Sequence, residues 1–228
     1  MLRLVAGLLT QSAVFTALIL GPTWIMTGGV NWPRGWLALA VLVGCTLVGG
    51  LWFAKTDPDL TRERAYLPRP QTRGDALASG AVLIAVLVWF TAAAADAHRL
   101  HLFDLSALVA LPAGLCLFFS AVAVIVWTLR VNSFAATVVK VQDERSQSVI
   151  DSGPYGWVRH PMYSGAIGFF TGLGLILGSA AAAALALPLF ALAFLPRMLV
   201  EENVLRRDLL GYAEYQSKVR FRLIPGLL

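Results

Sequence analysis

Residues 153–165 read GPYGWVRHPMYSG, and an uncharged apolar run begins inside them. A proline is tolerated in the first turn of a helix, where its missing N–H leaves no bond unmade, so Pro161 predicts a helix that starts beside Arg159 and His160. Working outward from this point, apolar stretches recur along the chain at the length that crosses a hydrocarbon core as helix. They predict membrane helices at about 4–26, 35–54, 76–96, 105–129, 162–178 and 181–199. The last two are short and are separated by a turn around Gly178. They are expected to form a tight antiparallel hairpin that need not cross the whole bilayer, with Pro188 and Pro196 kinking its second arm.

The composition agrees. Of 228 residues, 58% are hydrophobic and 14% charged, and the mean hydropathy of +0.72 excludes an ordinary soluble domain. The fold class that follows is all-α: a polytopic transmembrane helical bundle of about five to six membrane helices, with a C-terminal helical hairpin and an amphipathic tail. It is read as a single membrane domain over residues 1–228, with N-terminal membrane helices in 1–129 and the chemistry-bearing half in 130–228.

The formal net charge is +5, but the basic residues lie in the connections between apolar runs, which argues against a nucleic-acid partner. They read as topology signals. With both termini cytoplasmic, only Arg34 and Arg99 of the 18 basic residues fall outside, so the bias predicts a cytoplasmic location for the 130–161 connection and the tail. The Ala- and Arg-rich style suggests a bacterial inner membrane. The basic N-terminus resembles a signal peptide, but its apolar part is too long and no small-residue cleavage site closes it, so a retained first helix is expected. Cys45 and Cys116 both fall in predicted membrane helices without neighbouring ligands, and are expected to be free buried thiols with no metal site.

Two constellations carry possible chemistry. In the first, Arg159 and the positive end of the helix beginning at Pro161 would attract a carboxylate or phosphate, and Tyr163 on the first turn would stack or donate its hydroxyl. The same residues also fit a topology anchor, a helix cap and an interfacial aromatic belt. Glycines at 165, 168, 172, 174 and 178 continue down this helix at spacings that favour close helix packing. In the second, Glu201 and Glu202 stand where the last apolar run ends. Four-residue spacing offers them Arg197 and Arg206 as partners; an ammonium group or ribose hydroxyls would suit them equally. The tail residues Tyr212, Tyr215, Lys218, Arg220, Phe221 and Arg222 suit either an anionic membrane surface or arginines folded back over a site. The polar, proline-containing segment 55–75 suggests connection only.

With these residues in hand, the chain resembles the isoprenylcysteine carboxyl methyltransferase family, which includes phospholipid-methylating relatives. GPYGWVRHPMYSG is similar to the family's G-P-Y-x-x-x-R-H-P-x-Y-x-G, EENVL to its E-E-x-x-L, and LLGYAEY to its G-x-Y-x-x-Y region; NSFAATVVKVQDERSQSVIDSG resembles the approach segment of bacterial members. The tail departs, reading VRFRLIP where many members have a V-P-R-x-x-P-like ending. The resemblance covers about residues 130 to 225. It implies an integral membrane methyltransferase that uses S-adenosyl-L-methionine, and a lipophilic or prenylated substrate entering from the bilayer with a carboxylate or amine to methylate. It implies a cofactor site formed by Tyr155, Arg159, His160, Pro161, Tyr163, Gly165, Glu201 and Glu202, in which Glu201 lines the pocket and Glu202 supports it, with Arg159, Glu201 and Arg222 in the catalytic set. Two other classes stay open: an NADPH-dependent membrane reductase of sterol or steroid type, and a non-catalytic membrane protein such as a transporter. Few polar residues in the early helices, chiefly Gln11 and Ser12, support a transport pathway.

Overall fold

The computed structural model describes residues 2–65, 73–103, 105–135 and 142–226. Residues 66–72 of the polar connection, residues 136–141 of the approach segment, and with them Arg69 and Lys140, lie outside the described residues. The described residues form eight α-helices in order: α1 (Leu2–Thr27), α2 (Pro33–Thr56), α3 (Pro58–Ala65), α4 (Arg73–Ala95), α5 (Ala107–Val131), α6 (Pro161–Leu177), α7 (Ala180–Asp208) and α8 (Tyr212–Lys218). The described residues contain no strand. Helices α1, α2, α4, α5 and α7 are long and apolar enough to cross a membrane, and α6 is a shorter apolar helix of 17 residues. Outward-facing side chains such as Ile25, Leu77 and Leu108 are largely exposed on the bundle surface, as lipid-facing residues are.

One arm of the C-terminal hairpin differs from the sequence expectation. Helix α7 is 29 residues long and runs without interruption through Pro188, Pro196 and the charged stretch to Asp208. At 1.5 Å per residue it measures about 43 Å, against a hydrocarbon core of about 30 Å. Hydropathy marks where a helix leaves the lipid, not where it ends. The acidic pair at 201–202 therefore sits on a rigid helical extension and not at a frayed terminus. Helix α6, at about 26 Å by the same rise, remains the short arm.

The hairpin turn is well satisfied. Gly178 closes α6 in the left-handed region at φ 87°, and the Ser179 side chain caps α7 by accepting from the Ala182 N–H. Ser179 Oγ in turn donates to buried Asp96 at 2.6 Å. Asp96 opens a π-helical turn after α4 and also accepts from the Leu102 N–H. Arg34 lies against Gly178, and Arg99 reaches the Met26 carbonyl. The two basic residues set apart by the charge pattern thus sit together at one end of the bundle, opposite residues 153–165.

Packing explains the glycines of α6. A Cβ on Gly172 would fall 2.5 Å from the backbone nitrogen of Phe118, and one on Gly114 would meet the Gly172 carbonyl oxygen at 2.9 Å. Backbone faces backbone there, so α5 and α6 approach only because both positions lack a side chain. Gly172→Ala is expected to destabilise the bundle by about 1–3 kcal/mol through overpacking, read as a lower melting temperature in detergent. Trp89, Phe118, Leu173, Ile176 and Phe190 form the centre of the core, and the Trp89 indole N–H donates to the Ala182 carbonyl. Both cysteines are unpaired, but neither is buried as expected: Cys45 is half-buried and Cys116 is exposed on the bundle surface. Ser12 donates to the Leu8 carbonyl of its own helix, a local bond that needs no transport role.

Candidate active site

At the end of the bundle opposite the Asp96–Ser179 lock, a cavity of about 920 Å³, counting its open mouth, is enclosed by segments 132–135 and 147–150, the 155–163 stretch, the end of α7 and α8. The two sequence constellations meet in it. Pro161 occupies the first position of α6 with His160 as the capping residue, and α7 presents Glu201 from the other side.

The adjacent glutamates separate. Neighbouring residues on a helix point about 100° apart, and here one turns to the cavity and the other away from it. Glu201 lines the cavity, with its side chain 32% exposed. Its Oε2 accepts from the Tyr163 hydroxyl at 3.1 Å, and the Tyr163 oxygen accepts from Arg197 Nε at 2.9 Å. Arg197 also reaches Asp75 and Ser79 on α4, which ties the cavity wall to the N-terminal half of the chain.

Glu202, 4% exposed, is the anion of a buried cluster. Its Oε1 accepts from Arg159 Nε at 2.8 Å and lies 3.2 Å from His160 Nε2. Its Oε2 accepts from Arg222 Nη2 at 3.0 Å and from the Gln216 amide. The sequence-spaced pairing with Arg206 does not form; Arg206 bonds Gln216 instead. Arg222 is therefore spent on Glu202 and does not line the cavity, and Arg159 is largely committed too. Arg159 Nη1 donates to the carbonyls of Val219 and Arg220, so only its Nη2 has no partner among the described residues. The tail also binds through its backbone: the N–H groups of Arg159 and His160 donate to the carbonyls of Phe221 and Arg222. Part of the free helix start expected as an anion site is thus filled by the chain itself.

The remaining expected residues divide in the same way. Tyr155 lines the cavity and its hydroxyl accepts from the Asn132 amide at 2.8 Å. Burial pushes the Tyr155 phenol up to about 12, so it stays protonated at neutral pH and its O–H remains a donor. Gly165 faces away, packed against Ile125 of α5. Tyr212 and Tyr215, in a tail the sequence left open to a membrane surface or to a place over a site, are both 5% exposed and line the cavity. The Tyr215 hydroxyl donates to the Tyr155 carbonyl. Asn132, Gln147 and Ser148 also line the cavity; nothing in their spacing distinguished them.

The described residues form a polytopic membrane helical bundle with a polar, tyrosine-rich cavity at one end. Residues 109–209 match the phospholipid methyltransferase family. The bundle shares its fold with the eukaryotic intramembrane Ras methyltransferase ICMT (isoprenylcysteine carboxyl methyltransferase), in the structure solved without a monobody: the TM-score is 0.51 at 18% identity, over 95% of this chain and 75% of that one. No curated protein matches by sequence. The family match thus falls on α5 to α7, and the likeness to the solved structure is one of fold.

Proposed function

We propose that the chain is an S-adenosyl-L-methionine-dependent methyltransferase whose cofactor occupies the cavity between the Arg159–Tyr163 stretch and Glu201, and whose acceptor is a lipophilic carboxylate or amine. The observation that carries this reading is the separation of Glu201 from Glu202. One carboxylate is left facing the cavity while its neighbour is used to hold the cavity wall in shape.

The donor set suits the cofactor. Glu201 accepts hydrogen bonds from ribose hydroxyls or an ammonium group, Arg159 Nη2 and the Tyr155 hydroxyl donate to a carboxylate, and the rings of Tyr155, Tyr212 and Tyr215 offer faces to an adenine. When bound, the cofactor supplies an activated methyl: the acceptor lone pair forms the new bond to carbon, and the electron pair of the broken C–S bond returns to sulfur. The protein is left with alignment and exclusion of water. A carboxylate acceptor needs no base. For an amine, His160 is suitably arranged: Glu202 can only accept, so His160 Nε2 carries the proton and Nδ1 presents its lone pair on the Glu201 side, 3.9 Å from Oε2. Arg222, placed by sequence in the catalytic set, acts in this reading through Glu202 as a positioning residue. The charge bias of the connections supports a cytosolic side for the cavity and both termini, where a water-soluble cofactor would reach them.

The test is calorimetric binding of S-adenosyl-L-methionine and, separately, NADPH to the folded protein in uncharged detergent. Saturable binding of the first alone is expected. Binding of NADPH alone, or of neither ligand, overturns the reading.

A further inference from the structure

The segment 55–75 carried no chemistry by spacing, yet its short helix sets a cation against two residues of the cavity wall. Asp57 Oδ1 caps α3 by accepting from the Leu60 N–H, and Leu60 is 1% exposed in the bundle. These two anchors aim half-buried Arg64 at the site. Its Nη1 donates to the Ala135 carbonyl at 3.2 Å and lies 3.9 Å from Met162 Sδ, and both residues line the cavity. Burial pulls the Arg64 guanidinium down from its ordinary value, as expected of a cation taken partly out of water without an anion beside it. The other arginines of this region are matched: Arg159 and Arg222 by Glu202, and Arg197 by Asp75. Among the described residues no carboxylate forms an ion pair with Arg64, and its Nε and Nη2 have no partner.

We propose that Arg64 is an anion-binding residue for the methyl acceptor, holding a carboxylate or phosphate of a lipophilic substrate at the cavity mouth. The inference rests on the methyltransferase reading and narrows it to acceptors that carry an acid. A half-buried guanidinium gains most from a planar or tetrahedral oxyanion, which it meets with two parallel N–H donors. The same unpaired cation repels an acceptor whose head group carries only positive charge. Met162, Phe134 and Leu205 in the cavity wall offer apolar surface to the chain attached to the acid.

The experiment measures binding of dodecanoate, dodecyl phosphate and dodecanol to the full chain in uncharged maltoside micelles, with Arg64→Met and Arg64→Lys beside the wild type. The wild type is expected to bind at least one of the acids about tenfold or more tightly than the alcohol. Arg64→Met is expected to lose that preference with dodecanol unchanged, and Arg64→Lys to keep part of it. A stronger dodecanoate signal assigns a carboxylate, and a stronger dodecyl phosphate signal assigns a phosphate. Wild-type acid binding by a folded Arg64→Met protein, or no acid preference in the wild type, overturns the proposal. S-adenosyl-L-methionine affinity, measured in parallel, is expected to be unchanged in Arg64→Met; its loss in a folded variant would make Arg64 a cofactor residue and also overturn the proposal. Failure of the wild type to bind S-adenosyl-L-methionine overturns the cofactor reading alone, because the acid preference is read independently.

Discussion

Glu201→Gln is expected to lower the affinity for S-adenosyl-L-methionine about ten- to a hundredfold, and the methylation rate at limiting cofactor with it, while the melting temperature of the unliganded protein barely moves. The magnitude follows from one or two charge-assisted hydrogen bonds at ~1.5–3 kcal/mol. The small stability effect follows from the geometry. Glu201 is a third exposed, and a glutamine of the same shape can still accept from the Tyr163 hydroxyl. Calorimetry on the purified variant measures the first effect and a thermal melt the second. Normal cofactor affinity would return Glu201 to the class of helix-end charges.

Glu202→Ala should behave in the opposite way. It removes the carboxylate that holds Arg159, Arg222 and His160 together, and the Arg159 and Glu202 side chains are only 5% and 4% exposed. Truncating one partner of a buried pair leaves an uncompensated charge, a cost of about 3–5 kcal/mol. The expected result is a fall in melting temperature several times that of Glu201→Gln. The tail at 219–223 should also come loose from the Arg159–His160 stretch and become open to limited proteolysis. Cofactor binding should fail as a consequence of the lost wall. A Glu202→Ala protein with wild-type stability and an intact tail would contradict the division of labour between the two glutamates.

That division shows how far local sequence reaches. The acidic pair, the Arg-His-Pro stretch and their likeness to membrane methyltransferases were all legible, because motif spacing and the N-terminal preference of proline are local properties. So was the helical bundle, since some 20 apolar residues can cross lipid only as helix. The end of α7 was not legible. The apolar signal stops when the chain leaves the membrane, whereas backbone bonding carries the helix on to Asp208. The place of Tyr212 and Tyr215 stayed open because a short aromatic and basic segment looks the same whether it rests on lipid head groups or on protein.

The sequence by itself determined the membrane class, the order of the helices, the end of the bundle where polar chemistry collects, and the residue types available there. Only the tertiary structure decided that Glu202 does its supporting by gathering Arg159, His160 and Arg222 into one buried cluster, that two tail tyrosines close the cavity, and that Arg64 arrives from a distant connection. Facing is a property of what packs against a helix. A rotation of about 100° between adjacent residues separates a ligand contact from a buried ion pair, and the groups that choose between them come from segments far apart in the chain.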